Sequence, residues 1–152
     1  MNSSRYLPED LYRIMKKYVT TEEWNDFFNQ LVADMQKKAS WSDFTSISNL
    51  FIWEEQWENL LKLLLQHMSL DNIVAVEKYL AKEYAPQLVG FYQQRILNYS
   101  AKYIGREHYV KACGFIRRMI KLGGRDEADA LVMQLRKLYP QRRALMEELG
   151  RV

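Results

Sequence analysis

Along most of the chain, apolar residues recur at spacings of three and four, the period of a helix that buries one face. The pattern is sharpest over residues 109–149, where one run stops at Gly123-Gly124, a second stops at Tyr139-Pro140, and a third continues almost to the end. In the first run Tyr109, Ala112, Cys113, Ile116, Met119 and Ile120 share a face, with Lys111, Arg117, Arg118 and Lys121 opposite. In the second, Ala128, Leu131, Val132, Leu135 and Leu138 repeat the stripe. Asp126, Glu127 and Asp129 fall in its first turn, where the helix dipole favours negative charge. Three helices folded back on one another are expected here.

Upstream, Pro8-Glu9-Asp10 opens a short helix with Leu11, Ile14, Met15 and Tyr18 as its buried face. Thr20 and Glu23 have capping-box spacing, and the helix they start aligns Trp24, Phe27, Phe28, Leu31, Val32 and Met35 until Lys37-Lys38. Residues 39–49 are the least decisive stretch: Trp41, Phe44 and Ile47 keep helical spacing among serines. Ser40 is a candidate cap there, Trp41 a candidate anchor for a loop, and a sub-module boundary, if there is one, is expected at 39–49. Residues 50–68 read as one helix, with Trp53, Trp57, Leu60, Leu61, Leu64 and Leu65 inward. Ser69 or Asp71 caps the next, which carries Ile73, Val76, Leu80 and Tyr84 and breaks before Pro86. Another helix runs from that proline to about Tyr103, closed by Gly105. The fold class expected is all-α: about eight helices whose short turns make neighbours antiparallel, in a single helical-repeat domain over residues 1–152.

Composition narrows this further. Only 3 prolines and 6 glycines, nearly all at helix ends, leave little material for the turns of a sheet protein. The net charge of +3 is unevenly spread: residues 1–100 carry 10 Lys and Arg against 13 Asp and Glu, and residues 101–152 carry 12 against 6. No segment approaches the run of about 20 apolar residues that spans a bilayer, and the N-terminus lacks the apolar core of a signal peptide. With Cys113 alone, no internal disulfide forms. A soluble, cytoplasmic protein is expected, without a membrane partner.

Catalytic and metal patterns are absent. His67 and His108, with one cysteine, do not supply a closed zinc site, and Cys113 in an apolar stripe reads as a small buried residue. Gly123-Gly124 is followed by acids rather than Lys-Ser, so it is a helix end and not a phosphate loop. The expectation is a non-enzyme with no cofactor and no metal.

Residues 80–87 and 135–141 echo each other, each a helix end, a tyrosine and a proline. Hairpin repeats of this kind stack into a short α-solenoid. Trp57 and Leu60 fit the opening of a tetratricopeptide pattern, although Leu61 stands where glycine is expected. Residues 51–152 resemble the helical C-terminal tail of bacterial SWIM zinc-finger proteins, above all in YVKACGFIRRMIKLGG followed by ALVMQLRKLYPQRRALMEEL. The resemblance implies a scaffold within partner-binding or nucleic-acid-linked assemblies. The finger itself needs three cysteines and a histidine, so no zinc ligand carries over.

Two functions fit such a scaffold. A protein or peptide partner would lie in a solenoid groove, with Tyr92, Tyr99 and Tyr103 as candidates to line it. The alternative is a nucleic-acid-associated module whose phosphate contacts are Arg106, Lys111, Arg117, Arg118, Lys121, Arg125, Arg136, Lys137, Arg142 and Arg143, unaccompanied by any base-reading motif. A chain without chemistry of its own also fits the role of one part of a larger protein.

Overall fold

The computed structural model describes residues 9–37 and 43–152. The expectations placed on Pro8, Lys38, Ser40 and Trp41 lie outside the described residues. Among the described residues the regular structure is helical throughout: α1 Glu9–Tyr18, α2 Thr21–Lys37, α3 Asp43–Trp53, α4 Trp57–His67, α5 Leu70–Lys102, α6 Arg106–Lys121, α7 Arg125–Leu138 and α8 Arg143–Leu149. They group into two units divided in sequence between His67 and Met68.

In the first unit the Glu23 N–H donates to Thr20 Oγ1 at 3.3 Å, so the expected cap starts α2. Trp24, Phe28 and Val32 of its stripe are buried, and α2 packs on α3, as α3 does on α4. Of the serines in residues 39–49, Ser46 and Ser48 fall inside α3, where Ser48 Oγ donates back to the Phe44 carbonyl at 2.7 Å.

Two expectations for this unit are corrected. Residues 50–68 are two helices, because α3 ends in a Schellman turn: Gln56 N–H donates to the Phe51 carbonyl at 2.8 Å and Glu55 N–H to the Ile52 carbonyl at 3.1 Å. Glu55 takes the left-handed position, φ 54°, that glycine usually fills, and the following helix turns Leu65 outward while burying Leu63. The face of α1 also differs. Tyr12 is its buried residue, while Leu11, Ile14 and Tyr18 are 47%, 50% and 85% exposed. Tyr12 wins the inward place because its ring meets Trp24 and Trp53 at 5.6 and 4.9 Å and its hydroxyl finds an acceptor in Glu54.

Glu54 gathers donors from two helices. It accepts from the Tyr12 hydroxyl, from Lys16 Nζ at 2.8 Å and from the Trp24 indole. Burial raises its pKa, but Lys16, Tyr12 and Trp24 outweigh burial and hold it below the ordinary carboxylate value. A depressed folded pKa adds stability that is complete above the unfolded carboxylate range, about 4.3, and is lost as pH falls through the folded value. Acid titration followed by tryptophan fluorescence is therefore expected to show a shallower acid transition for Glu54→Gln than for the parent; identical acid limbs would contradict the assignment.

In the second unit Ser69 is the N-cap of α5, its backbone N–H donating to Asn72 Oδ1 at 3.1 Å. The 33 residues of α5 are not one rod, for Tyr84 leaves helical geometry (φ −122°, ψ 25°) just before Pro86. Tyr92 donates from its hydroxyl to Glu77 Oε1 at 2.7 Å. In a straight helix those two residues would be about 22 Å apart, so the helix folds back at Tyr84 into two arms, as the break before Pro86 predicts. Asp71 meets Lys111 at 2.7 Å and Glu77 meets Arg118 at 2.6 Å, so the first arm runs the same way as α6. Tyr99 meets His108 and Tyr92 meets Phe115, so the second arm runs opposite. Gly105 does not close α5, whose last cap is Tyr103; it is the N-cap of α6, with φ 134°.

The stripe of α6 is buried at Tyr109, Ala112, Cys113, Ile116 and Met119, with Phe115 added, while Ile120 is only half-buried. On α7 the buried residues are Ala128, Leu131 and Leu135, while Leu138 at the helix end is exposed. Between these helices the two glycines have separate tasks. Gly123 takes φ 91°, and its N–H donates to the Ile120 carbonyl at 3.0 Å while Gly124 N–H donates to the Met119 carbonyl at 2.9 Å, a Schellman turn. Gly124 lets α5 approach: a Cβ there would lie 2.6 and 2.7 Å from the Val89 methyl groups. Val89 is buried and branched, with little room to yield. Gly124→Ala is expected to destabilise by about 1–3 kcal/mol through overpacking, measured by chemical denaturation. A neutral result would show that Val89 moves freely.

Candidate functional site

The candidate groove residues separate. Tyr92 is fully buried, its hydroxyl on Glu77 and its pKa pushed up first by burial and then by that carboxylate. Tyr99 and Tyr103 come together where α5 ends and α6 begins, with ring centroids 4.7 Å apart. His108, from the first turn of α6, completes a three-ring cluster: it stacks on Tyr103 at 5.0 Å and shares a 2.6 Å hydrogen bond between Nδ1 and the Tyr99 hydroxyl.

Helical periodicity builds this corner. Tyr99 and Tyr103 are one turn apart, and Gly105, with its positive φ, permits the tight reversal that brings His108 back over them. Lys102 lies 5.4 Å from the Tyr103 ring centre and Lys111 5.6 Å from that of Tyr99, within cation–π range. Lys111 is also tied to Asp71 on the first arm of α5 at 2.7 Å. The corner is thus pinned from three helical stretches, yet it leaves Tyr103 38% and Ile104 69% exposed. Sequence spacing finds the two tyrosines, with Lys102 and Ile104 beside them in the chain; His108 comes to the site through the turn, which no periodicity reveals.

The basic residues of the last third are largely engaged within the unit. Arg106 reaches Glu147 at 2.6 Å and the buried Glu148 at 2.8 Å, joining α6 to α8, while Arg151 adds a 3.3 Å contact to Glu148. Arg106, with Arg151 and Arg143 adding to the field, holds the Glu147 carboxyl below its ordinary value. Arg118 is paired with Glu77 and Lys111 with Asp71, and Arg125 lies 3.8 Å from Asp129. Arg142 donates to the Ser100 carbonyl at 2.7 Å and stacks 3.8 Å from the Tyr139 ring centre. Arg117 reaches the Arg151 carbonyl at 3.4 Å, and Arg136 lies against the Met146 sulfur at 4.0 Å. Among the described residues no acidic side chain lies within ion-pair distance of Lys121 or Lys137, one on α6 and one on α7.

Cys113 is fully buried in α6, and burial pushes its thiol up to about 11, away from the thiolate form that nucleophilic chemistry uses. His67 stacks on Phe44 with centroids 4.7 Å apart. Among the described residues no group of three or more His, Cys, Asp or Glu is placed to hold a metal ion, and no helix is long and apolar enough to cross a membrane. No protein-family model matches the chain, and neither a curated protein nor a solved structure is significantly similar to it.

Proposed function

We propose that the chain is a non-catalytic helical scaffold whose ligand is a protein or peptide, received at the corner between α5 and α6. The observation that carries this reading is the exposed pair Tyr103 and Ile104, standing on a corner whose other parts are fixed by the Tyr99–His108 and Lys111–Asp71 bonds. Aromatic and aliphatic anchors on a rigid support bind with little loss of side-chain freedom. A tetratricopeptide-like solenoid is part of the proposal, supported by successive helix reversals at Tyr84, Tyr103–Gly105 and Leu122–Gly124. So is kinship with the tail of bacterial SWIM zinc-finger proteins, supported by the sequences of α6 to α8 alone. Internal pairing of the cations disfavours the nucleic-acid alternative.

The test is affinity capture from a cell extract with the parent and with a Tyr103→Ala, Ile104→Asp double variant, both checked for helical content by circular dichroism. A protein retained by the parent and lost by the folded variant is the expected result. Equal capture by both would remove the corner from the binding surface.

A further inference from the structure

The second arm of α5 has an outer face unlike the others. Gln87, Gly90, Gln94, Asn98 and Ala101 follow at spacings of three and four and are all exposed, so they form one stripe. It carries no charge, and Arg95 is the one charged residue in 84–101. Exposed positions of α6 and α7, by contrast, are mostly Lys, Arg, Asp and Glu. An exposed helix ordinarily keeps charges on its solvent side, so this face has no ion to desolvate and can be buried once its amides find hydrogen-bond partners.

Gly90 is the second observation. A glycine inside a helix costs roughly 0.5–1 kcal/mol relative to alanine, and it recurs where a backbone must be approached closely. Gly124 shows that use within the chain, against Val89; at Gly90 an added Cβ would meet nothing within 4 Å. No internal packing requires the missing side chain. Gly114 on α6 has equally open surroundings, but Lys111, Arg117 and Arg118 beside it would set like charges against a second copy.

We propose that this face of α5 is where a second copy of the chain docks, the two helices crossing antiparallel about a two-fold axis at Gly90. Such an interface must be complementary to itself. Amide side chains meet that condition, since each both donates and accepts, and an uncharged face brings no repulsion when placed on its own copy. Gln87 and Gln94 lie three residues before and four after Gly90, so an antiparallel crossing there sets Gln87 of one copy beside Gln94 of the other. One helix face is smaller than the roughly 800 Å² per partner of a standard interface, so the dimer is weak and reversible.

Sedimentation equilibrium over a wide range of protein concentration tests this. The parent is expected to show an apparent mass rising from monomer toward dimer. Gly90→Leu should weaken association about tenfold or more, with unchanged helical content and no loss of thermal stability. The register is tested by charge: Gln87→Glu with Gln94→Glu should also weaken the dimer, whereas Gln87→Lys with Gln94→Glu should restore it and make it salt-sensitive. A parent that stays monomeric at the highest concentration, a Gly90→Leu variant that associates like the parent, or a Lys/Glu pair as weak as the Glu/Glu pair would each overturn the proposal.

Discussion

Replacing Ile116 with alanine is expected to lower stability by about 2–5 kcal/mol, the range for removing most of a buried branched side chain and leaving part of its volume empty. Ile116 is completely buried at the middle of α6, the helix that packs on α5, α7 and α8. Collapse around the vacancy would require three neighbours to shift together, which close packing resists. All four tryptophans precede residue 68, so their fluorescence follows the first unit, and far-ultraviolet circular dichroism is the probe to use for Ile116. A denaturation midpoint unchanged within error would place Ile116 outside the core.

Glu77→Ala is expected to cost about 2–4 kcal/mol, combining a buried hydroxyl left without its acceptor and a lost charge-assisted bond. Glu77 ties both arms of α5 to α6, through Tyr92 at 2.7 Å and Arg118 at 2.6 Å. The Arg118 side chain is 39% exposed and regains water when freed, whereas Tyr92 is fully buried. The larger share of the loss therefore falls on Tyr92. A Tyr92→Phe, Glu77→Ala double variant should be less destabilised than the sum of its single changes, and strict additivity in a double-mutant cycle would show that the two side chains do not act as a pair.

Those residues mark where the sequence is readable and where it is not. The turn after α6 is legible because Gly123 and Gly124 are the residue type its positive φ and close approach demand, and the reversal in α5 is legible because Pro86 breaks a ladder bond. The turn after α3 has the same backbone geometry with Glu55 in the glycine position, so two helices read as one. On α1, Leu11 and Ile14 are more apolar than Tyr12, yet Tyr12 is buried, because Glu54 supplies an acceptor for its hydroxyl from 42 residues away. Periodicity ranks residues by their own polarity and carries no information about such distant partners.

The basic third shows the same limit. Its excess of Lys and Arg is visible in the sequence, but the engagement of Arg106 with Glu147 and Glu148, Lys111 with Asp71 and Arg118 with Glu77 depends on separations of about forty residues in each case. Charge counting overstates the field available to a polyanion when its cations already face acids of their own chain. The aromatic corner is half-legible for a related reason: spacing joins Tyr99 to Tyr103, and only the turn at Gly105 adds His108.

The most direct test of this account is a titration of labelled duplex and single-stranded nucleic acid at low and at moderate salt. A protein that neutralised Z phosphates would lose affinity with a logarithmic salt slope of about −0.9Z on duplex. With most of the basic residues held by acids, carbonyls or a ring of the same unit, the expected result is weak binding at low salt and a shallow slope that Arg117→Ala with Arg118→Ala leaves unchanged. Micromolar or tighter binding with a steep slope, weakened by that double variant, would contradict it and make the basic face the working surface.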